Sequence, residues 1–384
     1  MRVLIASDKF KDSLTAGQAC AEMAVGVRCA QPTWSVEQCP LTDGGEGFAV
    51  ILTEAVGGEW VVCRVTGPRG AEVEAGFGVI ETKLLPAAVL RRLGCASGGQ
   101  LAVIEMAAAS GLALLRPDER DVWRTDTRGT GELIAAAAER GVEGILLGVG
   151  GSATSDLGLG ALGMLGLELC NEHGQLMTSG APLKWPRVVS LKAERLRKLP
   201  PIWIACDVTN PLLGPRGAVT VYGPQKGLES EALVKLEAQS ARMMVLLCAS
   251  CGVDAGLAET PGAGAAGGIA FGLMAATGAR LVPGFELVSD WLRVEERLAA
   301  ADLVITGEGR FDDSSLQGKG PGSLVRAAVA LGKPVHVFAG RVDAQETPGV
   351  TLHEVSPRDV PLAQALAKAG AWLRQRTEKT FNPG

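Results

Sequence analysis

A short apolar run that ends in glycines and acids and then opens a helix recurs along this chain, and that repeat restricts the fold. Arg2–Ala6 ends at Ser7-Asp8, and Thr15-Ala-Gly-Gln18 forms a capping box that predicts a helix to about Ala30. Ser35–Cys39 reads as the next strand, Leu41–Gly47 as a loop, and Phe48–Val56 as a helix closed by Gly57-Gly58. The pattern returns at Gly129–Leu133, opening a helix that ends at Gly141, with a strand at Gly144–Val149. It returns again in Leu303–Thr306, a helix near Pro321–Leu331, Pro334–Ala339, Val350–Val355 and an amphipathic helix around Pro361–Arg374. This is βαβ grammar, and its continuous apolar strands suit a parallel sheet covered on both faces.

Two stretches break the pattern. Glu59–Val79 alternates apolar and polar residues around Gly67-Pro-Arg-Gly70, as a hairpin does. The region from Leu167 to Phe285 mixes expected strands, such as Ile202–Cys206 and Ala218–Tyr222, with long turns and helices. A chain of 384 residues is long enough for two domains. The expectation is α/β: a Rossmann-like doubly wound parallel sheet from 1–58, 122–166 and 286–384. A smaller mixed α/β domain from 59–121 and 167–285 is inserted discontinuously, with a cleft between the two.

Composition removes several classes. Glycine, 51 of 384 residues, is well above the usual ~7%, but no G-X-Y period or low-complexity tract accompanies it. Lys and Arg number 37 against 42 acids, with no polybasic run, so nothing points to nucleic acid or to a membrane surface. The nine cysteines are scattered and odd in number, which predicts free thiols in the cytoplasm. Cys248 and Cys251 read as core thiols one helical turn apart. Thr260–Ala279 is uncharged but rich in Gly and Ala, a glycine loop opening a packed helix rather than a span. No GxxxxGK[ST] or G-x-S-x-G is present, and His173, His336 and His353 stand singly, two of them in expected strands.

The chemistry-bearing residues cluster at expected strand ends. Asp8, Lys11 and Ser13 follow the first strand, where open α/β sheets bind ligands. Asp43 and Glu46 lie among glycines, which let a backbone approach a ligand closely. Gly148–Asp156 leaves a strand with Gly150, Gly151, Ser152 and Thr154 in a turn able to cradle phosphate. It also fits G-x-G-x-x-A with Glu168 twenty residues on, a dinucleotide pattern that is cheap in so glycine-rich a chain. Asp207 and Asn210 follow another strand, with Lys226 close behind. Glu308, Arg310, Asp312 and Lys319 form the densest group, read as a loop with acids for a metal and bases for phosphate.

Together these stretches resemble the bacterial class I glycerate kinases, the glycerate 2-kinase family. The resemblance rests on SDKFKDSLTA at 7–16, LTDGGEGF at 41–48, IEMAAASGL at 104–112, RGTGELI at 128–134 and GVGGSATSD at 148–156. It continues in ACDVTNPLLGPRGA at 205–218, GPQKG at 223–227, PGAGAAGG at 261–268 and VITGEGRFD at 304–312. The family usually has Asn and Gly where this chain has Ser155 and Leu157, and a Ser-Gln-Thr-type run in place of Asp313-Ser314-Ser315. The resemblance implies two α/β domains and ATP- and Mg²⁺-dependent phosphorylation of D-glycerate, giving 2-phosphoglycerate in most members.

On that reading Lys11, Asp207, Asp312 and Lys319 are catalytic, and Asp8, Ser13, Asp43, Glu46 and Arg310 hold substrate. Gly150, Gly151, Ser152, Thr154 and Lys226 hold the nucleotide, and Glu308 with Asp312 the metal. Three alternatives are a 3-phosphoglycerate-forming kinase, a dinucleotide-dependent oxidoreductase and a non-catalytic sensor of a small acid. Homo-oligomerisation stays open.

Overall fold

Val3–Ile5 is apolar and fully buried, and the chain accommodates it by pairing it with a parallel strand on each side. The computed structural model describes residues 1–313, 315, 320–345 and 347–382. The first strands in chain order are β1 Arg2–Ile5, β2 Ser35–Gln38, β3 Glu59–Thr66, β4 Glu72–Glu81 and β5 Gln100–Glu105. β6 Gly144–Gly148, β7 Glu168–Cys170, β8 Ser190–Lys192, β9 Ile202–Ala205 and β10 Arg280–Val282 follow. β11 Leu303–Phe311, β12 Val335–Val342 and β13 Val350–Glu354 come last.

The chain divides into two units. The first is Met1–Asp43 with Val288–Gly384, and the second is Gly44–Leu287. In the first, all neighbouring strands are parallel, in the order β13-β12-β11-β1-β2. The helix Ala16–Ala30 starts at the expected capping box: Thr15 Oγ1 accepts from Gln18 N, and Thr15 N donates to Gln18 Oε1. It packs against the last helix, Leu362–Phe381, at Gly26, where an added Cβ would lie 2.6 Å from the Arg374 carbonyl. Val3, Ile5, Met23, Val27, Ile305 and Leu373 belong to the core below them.

The second unit is built on a six-stranded sheet ordered β10-β9-β6-β5-β4-β3. β3, β4 and β5 pair antiparallel and form the expected hairpin, while β5, β6, β9 and β10 are parallel. Phe77, Ile104, Leu133, Leu147, Ile204 and Phe271 fall in its core.

The domain expectation needs correction. Residues 44–58 and 122–166 belong to the second unit, because fully buried β6 pairs with β5 and β9 rather than with β1. The inserted unit is therefore one continuous segment and the larger of the two; it is the first unit that is interrupted. Ala218–Tyr222 is a helix, not a strand. Its Val219 is buried in the core, and Thr220 Oγ1 donates to the Gly214 carbonyl, so packing overrides β-branched propensity. β11 runs on to Phe311 because β12 pairs with it as far as Val342. Glu308 and Arg310 thus lie on a strand rather than a loop. The last helix extends to Phe381, whose ring meets Trp34, His336 and Phe338. All nine cysteines are free, and Cys248 and Cys251 end one helix, as expected.

His336 and His353 are packed rather than exposed. Their rings stack, with Nδ1 and Nε2 2.9 Å apart, and Phe338 stacks on His353. Burial, with the neighbouring His336 and Arg376, holds His353 down to about 4. The unfolded chain, with a histidine near 6.5, takes up this proton first. This part of the stability is therefore complete above pH 6.5 and is lost as the pH falls toward 4. Thermal melts across that range are expected to show a steeper acid decline for the natural protein than for His353→Gln; equal slopes would contradict the assignment.

Candidate functional site

In the first unit the chain moves from β1 to β2 on one side and, on its return, from β11 to β13 on the other. The order reverses between β1 and β11, and open parallel sheets bind ligands outside the carboxyl ends of strands at such a point. Asp8 and Glu308 stand there. Asp8 N donates to the Gly307 carbonyl at 3.0 Å, Ser7 Oγ donates to the same carbonyl at 2.9 Å, and Thr306 Oγ1 donates to the Ala6 carbonyl at 2.6 Å. The Phe10–Leu14 turn, with Asp12 at a φ of +61°, lies against β11. Cβ atoms at Gly307 and Gly309 would sit 3.3 Å from the Phe10 ring and 3.2 Å from Lys11 N. Gly307 is closed still more tightly by the Phe338 carbonyl, 2.4 Å from such a Cβ, so these glycines admit both β12 and the turn.

Ser13 Oγ donates to the Phe10 carbonyl and so closes the turn. Lys11 is exposed at the edge of a cavity of about 260 Å³, lined also by Phe10, Gly309, Arg341, Ala365 and Ala369. Glu308 is half-buried, and its Oε1 is enclosed with no hydrogen-bond partner among the described residues. Burial pushes this carboxyl up to about 7; the charges of Asp8 and Asp312 add to the rise, and a hydrogen bond with Ser315 opposes it. Arg310 is two-thirds exposed and paired with Asp343 at 2.9 Å, with Asp312 further off at 3.7 Å. Asp312 Oδ1 accepts from Ser315 N. Lys319 lies outside the described residues.

The second unit gathers the other candidates at one edge. Glu105, Gly148 and Ala205 are in register at the carboxyl ends of β5, β6 and β9. Gly150 N donates to the Gly44 carbonyl at 2.9 Å, and a Cβ on Gly150 would be 2.7 Å from Gly45 Cα. Gly151 has a φ of +71°, and its hypothetical Cβ would be 3.2 Å from Glu46 Oε1. Asp43 is exposed at the last residue of the first segment.

Asp207 Oδ2 accepts from Phe285 N at 2.8 Å and so caps the helix Gly284–Trp291. Lys226 is fully buried, and its Nζ donates to Ser152 Oγ and to the Thr154 carbonyl, inside the protein rather than at its surface.

Two anchoring acids escaped the sequence reading. Glu105 is buried and accepts from Gly47 N and Ala49 N, fixing the start of the helix Phe48–Ala55. The sequence signal was an acid closing an apolar strand. Asp156, wholly enclosed, accepts from Thr127 N, Thr127 Oγ1, Gly158 N and Gly160 N. The dinucleotide pattern fails its structural condition. No helix opens within Gly148–Ala153, and Glu168 begins a strand of a separate antiparallel pair, bridged to Arg195.

A divalent ion fits the first unit in a limited way. Glu308 offers an enclosed, unpartnered oxygen, and Asp8 and Asp312 carry charge within its reach. Among the described residues, however, no cluster of three or more potential ligands is preformed. That suits Mg²⁺, which is usually held by one or two carboxylates together with substrate phosphates and water.

The fold and these strand-end groups define a two-unit α/β protein with acids and bases gathered at parallel-strand ends. The model of the Glycerate kinase family matches residues 3–382, and the chain belongs to that family, whose members are kinases. It is 37% identical over 381 residues to a glycerate kinase of Halalkalibacterium halodurans, covering 97% of this chain and 95% of that one. It is 38% identical over 343 residues to the glycerate 2-kinase of Escherichia coli K12, covering 88% and 85%. A crystal structure described as that of a glycerate kinase 2 from Salmonella typhimurium LT2 superposes with a TM-score of 0.75. It has 37% identity and covers 99% of this chain and 97% of its own.

Gly150→Ala must displace the backbone of Gly45. It is expected to cost about 1–3 kcal/mol in denaturant unfolding and to speed amide exchange at 44–47. Unchanged values would show that the two loops are not packed as described.

Proposed function

We propose that this chain transfers the γ-phosphoryl group of ATP to D-glycerate at its C2 hydroxyl, releasing ADP and 2-phosphoglycerate. The observation that carries the reading is the enclosed Glu308 carboxyl at the switch point of a parallel sheet, raised by its burial and by the charges of Asp8 and Asp312. Family membership supports a kinase. The choice of C2 follows the relative named glycerate 2-kinase.

Phosphoryl transfer asks a protein mainly to position its reactants and to balance charge. On this reading the glycerate hydroxyl oxygen attacks the γ-phosphorus in line as the bond to the ADP oxygen breaks. The hydroxyl proton leaves for a carboxylate of the Glu308–Asp312 pair. Lys11, Arg310 and Lys319 neutralise phosphate or the substrate carboxylate, and Asp8 and Asp43 orient the glycerate hydroxyls. The Gly150–Thr154 backbone faces the nucleotide phosphates. Ser13 and Asp207 act one step back, through the turn and the helix that they close. Mg²⁺, held by the member of the Glu308–Asp312 pair that does not take the proton, would supply charge compensation on the phosphates.

No described helix is long and apolar enough to cross a membrane. We place the reaction in the cytoplasm, where ATP is available.

ADP release with D-glycerate and ATP is expected to require Mg²⁺ and to stop with EDTA. Lys11→Ala and Asp312→Ala are each expected to lower kcat by about 100-fold or more, the scale of losing one charge-stabilising group. Their melting temperatures are expected to stay near that of the natural protein, since both side chains lie at the surface or part-buried. Folded variants with unaltered turnover would overturn the reading.

A further inference from the structure

Lys226 closes the short helical turn Pro224–Lys226, and its side chain runs into the interior, where 2% of the residue is exposed. Gly227, at a φ of +85°, fixes the exit; a Cβ there would strike the Arg120 carbonyl at 2.1 Å. The hydrogen bonds of the ammonium to Ser152 Oγ at 2.8 Å and to the Thr154 carbonyl at 2.6 Å end on one segment.

Burying a cation costs several kcal/mol, and an apolar side chain of similar length fills the same space without that cost. Burial draws this lysine downward, and the negative charge of Asp156 offsets part of the effect. Asp156 itself does not rely on Lys226, because four N–H and O–H donors from Thr127, Gly158 and Gly160 already meet its carboxylate.

The rest of the segment that Lys226 grips is tied mainly through its backbone: Leu112 N donates to the Gly151 carbonyl, Thr125 Oγ1 donates to the Ala153 carbonyl, and Gly111 bridges Ser152. Thr154 Oγ1 and Ser155 Oγ are enclosed with no hydrogen-bond partner among the described residues. Ala153 N reaches the Ser110 carbonyl, and Gly150 N reaches that of Gly44. The exposed part of the turn is the Gly150–Gly151 backbone, held by main-chain hydrogen bonds to Gly44 and Leu112 and by no side chains of its own.

We propose that Lys226 is a positioning residue. It does not meet the nucleotide but grips Ser152 and Thr154 from inside the protein, so that Gly150–Gly151 is presented to the phosphates in one shape. The role rests on the kinase reading above and corrects the expectation that Lys226 itself binds the nucleotide.

The test compares the natural protein with Lys226→Met and Lys226→Gln. Lys226→Met is expected to melt no lower than the natural protein. Its KM for ATP is expected to rise about tenfold or more, the scale of losing a charged hydrogen bond, with little change in KM for D-glycerate. Amide exchange at 150–155 should quicken. Lys226→Gln, which keeps one donor group, should recover part of both effects. Unchanged KM for ATP and unchanged exchange would overturn the proposal. So would a parallel rise in both KM values with a lowered melting temperature, which marks a merely structural lysine. If the natural protein transfers no phosphoryl group to D-glycerate, the kinase reading fails. The exchange data then decide on the grip alone, and unchanged exchange overturns it.

Discussion

Parallel pairing of β1 with β11 joins Val3–Ile5 to Leu303–Ile305, segments 300 residues apart in the chain. Four further hydrogen bonds continue the seam past Ile5: Ala6 to Ile305, Thr306 to Ala6, Asp8 to Gly307 and Ser7 to Gly307. The strand-order reversal falls at this seam, so the pairing that completes the sheet also creates the edge at which open parallel sheets bind ligands. The Phe10–Leu14 turn lies close to that edge at positions 307 and 309, where a Cβ would crowd the Phe10 ring at 3.3 Å and Lys11 N at 3.2 Å. A register slip of one residue would turn Glu308 and Arg310 to the opposite face and put glycines in their place.

The two units treat charge differently. At the edge of the first, carboxylates are crowded and one of them is poorly satisfied: Glu308 is held up to about 7 beside Asp8 and Asp312. Such an arrangement is costly unless a cation or a proton enters it. In the second, charge is enclosed and bonded. Glu105 starts a helix, Asp207 caps another, Asp156 gathers four donors and Lys226 holds the turn that leaves β6. The first arrangement is suited to meeting a cation or a proton, and the second to fixing backbone.

Much of this was legible because local signals and tertiary demands agreed. The capping box at Thr15–Gln18, the hairpin around Gly67–Gly70 and the fully apolar parallel strands each appear where their patterns place them. The division into units was misread because β6 has the same apolar signature as β1, and periodicity does not tell which sheet a buried strand enters. Ala218–Tyr222 was misread because its β-branched residues favour a strand, while its packing requires a helix. At the site, charged residues at strand ends were visible, but their partners were not. Ser13, Asp207 and Lys226 all proved to be engaged within the protein by groups that sequence spacing does not reveal. Glu105 and Asp156 are important for the opposite reason: enclosed acids look unremarkable in sequence until their backbone donors are seen.

The account turns on which bond is made. The most direct measurement is ³¹P NMR of the purified protein with D-glycerate, ATP and Mg²⁺, followed to completion. The account predicts one new phosphomonoester resonance, that of 2-phosphoglycerate, growing as the γ-phosphate of ATP disappears. A 3-phosphoglycerate resonance would contradict the choice of hydroxyl, and no new phosphoester from folded protein would contradict the assignment of D-glycerate as the acceptor.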